Sequence, residues 1–183
     1  GTFFVFSDYM KHSMRLSALM NNPVTYVLTH DSIGVGEDGP THQPVEHLAM
    51  LRSMPNMTTF RPADAKETAI GWYYALNRED GPTSLVLTRQ GVPILDETGE
   101  NIDIILMATG SEVQLIYKAA DILKEKGINS RVVSMPSWEL FEVQSEEYKE
   151  KVLPKNIRKR LAVETASSLG WHKHVGLDGE IIA

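Results

Sequence analysis

The chain contains no cysteine among its 183 residues. That absence excludes disulfides, thiolate catalysis and cysteine-ligated zinc, and it leaves a reducing compartment open. No apolar run is long enough to cross a bilayer, and no charged-then-apolar leader is expected at its start. Positive charge is also in short supply: 18 lysines and arginines stand against 24 aspartates and glutamates, a formal net charge of −6. That sign repels phosphodiester backbones and anionic lipid, so neither nucleic acid nor a membrane is an expected partner. What is present, 42% hydrophobic and 23% charged residues, suits a globular protein with one large or two small cores. The opening Gly1-Thr2-Phe3-Phe4-Val5-Phe6 reads as the inside of a strand, so a piece of a longer protein is expected.

The patterning alternates between period two and period 3.6. Residues 2–6 are aromatic and β-branched, predicting a strand, and Ser7-Asp8 is positioned to cap a helix over 10–20. A second strand is expected at 24–28, buried on both faces in a parallel sheet. After a glycine-rich loop, a helix is expected over 44–54 with Pro44 in its first turn. A strand at 57–61, a helix capped by Asp64, and a strand at 83–88 follow. Residues 91–101 have little periodicity and read as a linker. Beyond it the alternation resumes: strand 102–108, helix 113–125 closed by Gly127, strand 131–135, helix 146–153 and strand 160–164. The expected fold is α/β in two lobes, each a mainly parallel sheet flanked by helices, over 1–90 and 102–183.

The stretch Thr29-His30-Asp31-Ser32-Ile33-Gly34-Val35-Gly36-Glu37-Asp38-Gly39-Pro40-Thr41-His42-Gln43 joins a strand's C-terminal end to a helix, where open α/β sheets bind ligands. It contains a G-x-G-x-x-G spacing, but Glu37 and Asp38 would set two negative charges where a pyrophosphate must sit, so dinucleotide binding is rejected. His30, Asp31, Asp38, His42 and His47 lack the His-x-x-x-His spacing of a helical metal site, and no metal ligand is assigned. His47 reads as a partly exposed helix residue. His30, Asp38 and His42 are assigned to substrate contact, because a glycine-rich loop carrying imidazoles can bind a polar substrate and move protons. Arg89 closes a strand and can fork onto a phosphate, or equally form a surface ion pair. Phe3, Phe6 and Tyr9, spaced by three, are either core or an aromatic wall for a flat heterocycle. Lys155, Arg158, Lys159 and Arg160 form a basic cluster that reads as a solvated face.

The run from His30 to Gln43, with its Asp-Gly-Pro-Thr-His-Gln, closely resembles the transketolase family. So do Thr2-Phe3-Phe4-Val5-Phe6-Ser7-Asp8-Tyr9, Phe60-Arg61-Pro62-Ala63-Asp64, Leu87-Thr88-Arg89-Gln90, Ala108-Thr109-Gly110-Ser111-Glu112 and Val133-Ser134-Met135-Pro136-Ser137. The resemblance implies the pyrimidine-binding domain followed by part of the C-terminal domain. It implies transfer of a two-carbon ketol unit between sugar phosphates such as xylulose 5-phosphate and ribose 5-phosphate, in a cytoplasmic homodimer. Thiamine diphosphate and a divalent metal, magnesium or calcium, would be the cofactors. It further implies Phe6 stacking on the cofactor's aminopyrimidine with Phe3 and Tyr9 beside it, His30 and Arg89 on the sugar's phosphate, Asp38 on a substrate hydroxyl, and His42 at the reacting carbonyl. The family's activating glutamate and its diphosphate- and metal-binding domain have no counterpart here, and residues 91–101 look shorter than in relatives. The isolated chain is therefore expected to be inactive and to bind no cofactor firmly. The rival expectations are a related thiamine enzyme such as a deoxyxylulose-phosphate synthase, or a fragment that only packs against partners.

Overall fold

The computed structural model describes residues 1–95 and 102–183. Of the 91–101 stretch read as a linker, residues 96–101 therefore lie outside the described residues. The first sheet takes β1 (Thr2–Phe3), β2 (Thr25–Thr29), β3 (Thr58–Phe60) and β4 (Thr83–Leu87), and the intervening helices are α1 (Ser7–Leu19), α2 (His47–Arg52) and α3 (Ala65–Asn77). Its order is β1-β2-β4-β3, all parallel. The second sheet takes β5 (Ile104–Ala108), β6 (Ser130–Ser134), β7 (Arg160–Val163) and β8 (Glu180–Ile182) in the order β6-β5-β7-β8, again parallel. Around it lie α4 (Val113–Glu125), α5 (Trp138–Glu142), α6 (Glu146–Val152) and α7 (His172–Val175). The two-lobed α/β architecture is the one the periodicity predicts.

Several boundaries move for identifiable reasons. The opening strand ends at Phe3, and Phe4–Phe6 form a 3-10 turn that runs directly into α1. Ser7 is thus the first residue of α1 rather than its cap, and the N-cap Phe6 makes no side-chain hydrogen bond. In β2 only Leu28 is buried, whereas four of the five residues of β4 are. β4 is paired along its length with β2 and at Thr83, Ser84 and Leu85 with β3, but β2 meets β1 only at Leu28 and Thr29. α2 starts at His47, not Pro44, and ahead of it Ser167 of the second lobe donates its N–H to the carbonyl of Val45 at 2.9 Å. His47, expected to be partly exposed, is buried at 3% exposure, edge-on to Phe4 and 3.3 Å from a carboxylate oxygen of Asp8. Asp64 does cap α3, accepting from the Glu67 N–H at 2.9 Å, while the Glu67 carboxylate accepts from Ala63 at 2.7 Å. α5, α7 and β8 are too short to leave a readable period.

The lobes are joined by apolar and ionic contacts. Ala166 of the second lobe belongs to the core around Phe4, Met14, Leu28 and Leu51, and Ala63 of the first packs with Leu106, Ala108 and Val113. The Glu164 carboxylate, 1% exposed, accepts both Arg52 nitrogens at 2.8 and 2.9 Å and the Trp171 indole N–H at 2.8 Å. The Arg52 guanidinium also lies 3.6 Å above the Trp138 ring. Burial pushes the Glu164 carboxyl up, but Arg52, with help from Arg61 and Thr109, outweighs it and holds the group below its ordinary 4.5.

A carboxylate whose folded pKa is depressed stabilises the fold above its unfolded pKa and loses that contribution as pH falls. Glu164→Gln is therefore expected to lower stability at pH 7 by roughly 3–5 kcal/mol, the effect of breaking a buried ion pair. Denaturant midpoints measured from pH 7 downward should show the gap between wild type and variant narrowing below about pH 4.5.

Candidate functional site

Parallel pairing brings three strand ends together. Phe3 of β1 is in register with Thr29 of β2, and Thr29 with Leu87 of β4. The residues that follow, the 3-10 turn after Phe3, His30 after Thr29, and Thr88-Arg89 after Leu87, therefore emerge at one edge of the sheet, the end where α/β ligand sites form.

The aromatic residues gather there. In a strand Phe3 and Phe6 would point to opposite faces. Because residues 4–6 turn as a 3-10 helix, the spacing of three puts them on one face. Their rings are 6.1 Å apart and within 7° of parallel. His30 stacks on Phe3 with centroids 3.7 Å apart, and His42 presents its edge to Phe6 at 5.2 Å and to Phe3 at 6.5 Å. Tyr9 lies 6.3 Å from Phe6 at the rim and is 87% exposed. Each imidazole has one nitrogen engaged: Nδ1 of His30 is 3.1 Å from the Thr29 hydroxyl, and Nδ1 of His42 is 2.9 Å from that of Thr41. Among the described residues Nε2 has no hydrogen-bond partner in either ring.

The loop between the imidazoles folds as two 3-10 turns, Gly36–Asp38 and Pro40–His42. Two glycines permit it. Gly36, at φ +77°, lets the Arg89 guanidinium sit so close that an added Cβ would be 3.2 Å from its central carbon. Gly39 has φ 75° and ψ −173°, a region essentially closed to residues with a side chain. Arg89 is exposed, and among the described residues it makes no hydrogen bond or ion pair, so its cation is available. Asp38 is likewise exposed and makes no hydrogen bond or ion pair among them, on the same loop. The structure thus brings together Phe3, Phe6, Tyr9, His30, His42 and, through Gly36, Arg89.

A cavity of about 350 Å³ lies elsewhere, between α2, α5 and α7, lined by Arg52, Trp138, Glu139 and His174 among others, and none of the sequence-nominated residues reaches it. Among the described residues no group of three or more histidine, aspartate or glutamate side chains could hold a metal. The basic cluster is largely engaged: Lys155 with Glu146 and Glu150, Arg158 with Asp178, and Arg160 with the carbonyls of Ile157, Leu153, Pro154 and His174.

Comparison with known proteins bears on this edge. Residues 1–94 match the family model for the transketolase pyrimidine-binding domain, and residues 91–183 that for the transketolase-like C-terminal domain. The chain belongs to the transketolase family. It is 53% identical to the transketolase of Geobacillus stearothermophilus over 202 aligned residues, covering all of this chain and 30% of that protein. The Pichia stipitis transketolase solved in complex with sedoheptulose 7-phosphate superposes over the whole chain with a TM-score of 0.94 at 42% identity, and the chain covers 29% of it. A split-gene transketolase, solved as an inactive beta4 tetramer, matches 99% of the chain with a TM-score of 0.71 at 26% identity, and the chain covers 64% of it. The chain thus spans about three tenths of the length of the curated transketolases it matches.

Sequence reasoning weighed Asp31 only as a metal ligand and gave Arg61 no role of its own. Asp31 stands beside His30, and Arg61 follows β3 at the same sheet end. Both are buried, at 2% and 0% exposure, and paired. The available signal was a charged residue immediately after an apolar strand, in the position that also singled out Arg89.

The loop's conformation makes a direct prediction. Gly39→Ala should cost roughly 1–3 kcal/mol in a denaturant titration. Gly91→Ala, with an ordinary φ and no atom within 4 Å of its added Cβ, should leave the midpoint nearly unchanged.

Proposed function

We propose that this chain supplies the sugar-phosphate seat and the pyrimidine-side wall of a transketolase, the enzyme that moves a two-carbon ketol unit between sugar phosphates. The reading is supported above all by the convergence of Phe3, Phe6, His30, His42 and an unpaired Arg89 at one sheet edge. Xylulose 5-phosphate and ribose 5-phosphate are the proposed donor and acceptor. Relatives solved in complex with xylulose 5-phosphate and fructose 6-phosphate favour that class. We place the boundary between the two lobes at 91–101, where the two family matches meet.

Each role follows from its chemistry. The Arg89 fork and the free Nε2 of His30 make a cationic seat for a phosphate. His42 can donate to a developing alkoxide or move a proton at the substrate's carbonyl oxygen through Nε2, its Nδ1 being engaged by Thr41. Asp38, exposed on the same loop, can accept from a sugar hydroxyl. Half-buried Phe6, with Phe3 and Tyr9, offers a flat apolar face that fits an aminopyrimidine ring. Thiamine diphosphate, when bound, supplies the carbon nucleophile that accepts the ketol unit. The residues present fit its pyrimidine side and not its divalent metal, magnesium or calcium, whose ligands must come from the remainder of the protein. Ketol transfer and firm cofactor binding are accordingly expected of the complete protein and not of these residues alone. The apolar outer face of α3, with Ile70, Tyr73 and Leu76 each more than 60% exposed, supports a homodimer in which that face is covered. A cytoplasmic setting suits substrates whose charged phosphates keep them from crossing membranes.

The test is a ketol-transfer assay of the complete protein. Arg89→Ala is expected to raise KM for xylulose 5-phosphate roughly tenfold or more with kcat largely kept, and His42→Ala to lower kcat roughly 10²- to 10⁴-fold. Failure of the wild type to transfer ketol units, or indifference of both variants, would refute the reading. Turnover of pyruvate in place of xylulose 5-phosphate would point to a deoxyxylulose-phosphate synthase.

A further inference from the structure

His30 stands at φ +60°, a left-handed conformation unfavourable for a non-glycine residue. It persists only where the surroundings over-determine it. On one side it is held by Thr29, paired in β2 with Phe3 and Leu87. On the other it is held by Asp31, whose buried carboxylate accepts from Arg61 Nε at 2.9 Å and lies 2.7 Å from Nη2. Nothing else ion-pairs with Asp31 among the described residues.

Arg61 spends the rest of its guanidinium on the second lobe. Nη1 donates to the carbonyl of Thr109 at 3.1 Å, to its hydroxyl at 2.9 Å and to the Glu112 carboxylate, and lies 3.7 Å from Glu164. Its backbone does the same: the N–H donates to Pro136 at 2.8 Å, and the carbonyl accepts from Gly110 at 3.0 Å. Gly110, at φ +55°, leaves room for the side chain, since an added Cβ would lie 2.8 Å from Nε. The second lobe places none of the proposed substrate contacts, yet it holds the arginine that holds the residue after His30.

We propose that Arg61 is a positioning residue, through which the C-terminal lobe, by Thr109 and Glu112, sets the placement of the His30 imidazole for the substrate's phosphate. The proposal rests on the reading of His30 and Arg89 as a phosphate seat. Arg61 touches no substrate in it. A lysine would keep the charge but lose the fork that spans Asp31 and Thr109.

The experiment measures, in the complete protein, kcat and KM for xylulose 5-phosphate together with the inhibition constant of inorganic phosphate, for Arg61→Lys, Asp31→Asn and the reference Arg89→Ala. Arg61→Lys is expected to raise both KM and the phosphate inhibition constant roughly tenfold, with kcat within about threefold, as a misplaced binding group does. Asp31→Asn, nearly isosteric, should shift the same two constants in the same direction and serves if Arg61→Lys does not fold. A variant that loses kcat while the phosphate constant stays unchanged would mark Arg61 as merely structural and overturn the proposal. So would Arg61→Lys, or Asp31→Asn in its place, leaving both constants unchanged while Arg89→Ala raises them. If Arg89→Ala itself leaves both unchanged, the phosphate seat is misread and the proposal falls with it.

Discussion

A single buried guanidinium occupies the place where the C-terminal ends of the two sheets meet. Around Arg61 and its neighbour Arg52, three carboxylates converge, Asp31 from the first lobe and Glu112 and Glu164 from the second. Burial works against the Arg61 cation, but Asp31 and Glu112 outweigh it and hold the group above its ordinary pKa, so it stays charged. The carboxylates outnumber the cations, and the surplus is felt at Asp31: burial pushes its carboxyl up, Arg61 opposes, and Glu112 adds to the rise. Such a cluster contributes little net stability compared with apolar packing of the same volume, yet losing one member is costly. Its value lies in geometry, because several charged groups from two lobes can be satisfied together in very few relative placements.

That constraint organises what surrounds it. With the lobes held at Arg61 and Arg52, α5 packs against the edge strand β3, and the Glu139 carboxylate, pushed up by burial, accepts from the Thr59 N–H at 3.4 Å and from Ser137 at 3.2 Å. An open strand edge is thereby covered. Trp138, Trp171 and His174 pack edge-on beneath Arg52. Burial takes the His174 pKa down to about 4, so that ring belongs to the packing and not to proton transfer at neutral pH. Charges divide by exposure: the buried Asp31, Arg61, Glu112 and Glu164 are paired, whereas Arg89 and Asp38, unpaired among the described residues, are exposed.

Much of this was legible beforehand. Long segments with a clean period, such as α3, α4, β4 and β5, were readable because their burial is regular along the chain. The glycine-rich loop was readable because the positive φ at positions 36 and 39 favours glycine. Phe3, Phe6 and Tyr9 were readable as a group but not as a face, since their spacing means opposite things in a strand and in a 3-10 turn. His47 was misread because one imidazole on a short helix carries no sign of the Phe4 ring and Asp8 carboxylate it meets.

The sequence by itself determined the class of fold, the loop glycines and the family. These are local properties, set by period, by backbone freedom and by the order of motifs along the chain. Only the tertiary structure decided that Asp31 and Arg61 meet, that Arg61 bridges to Thr109 and Glu112, and that Arg89 lies over Gly36. Those contacts join residues tens of positions apart, and their pairing depends on sheet order and lobe placement. No spacing along the chain encodes which buried charge will face which.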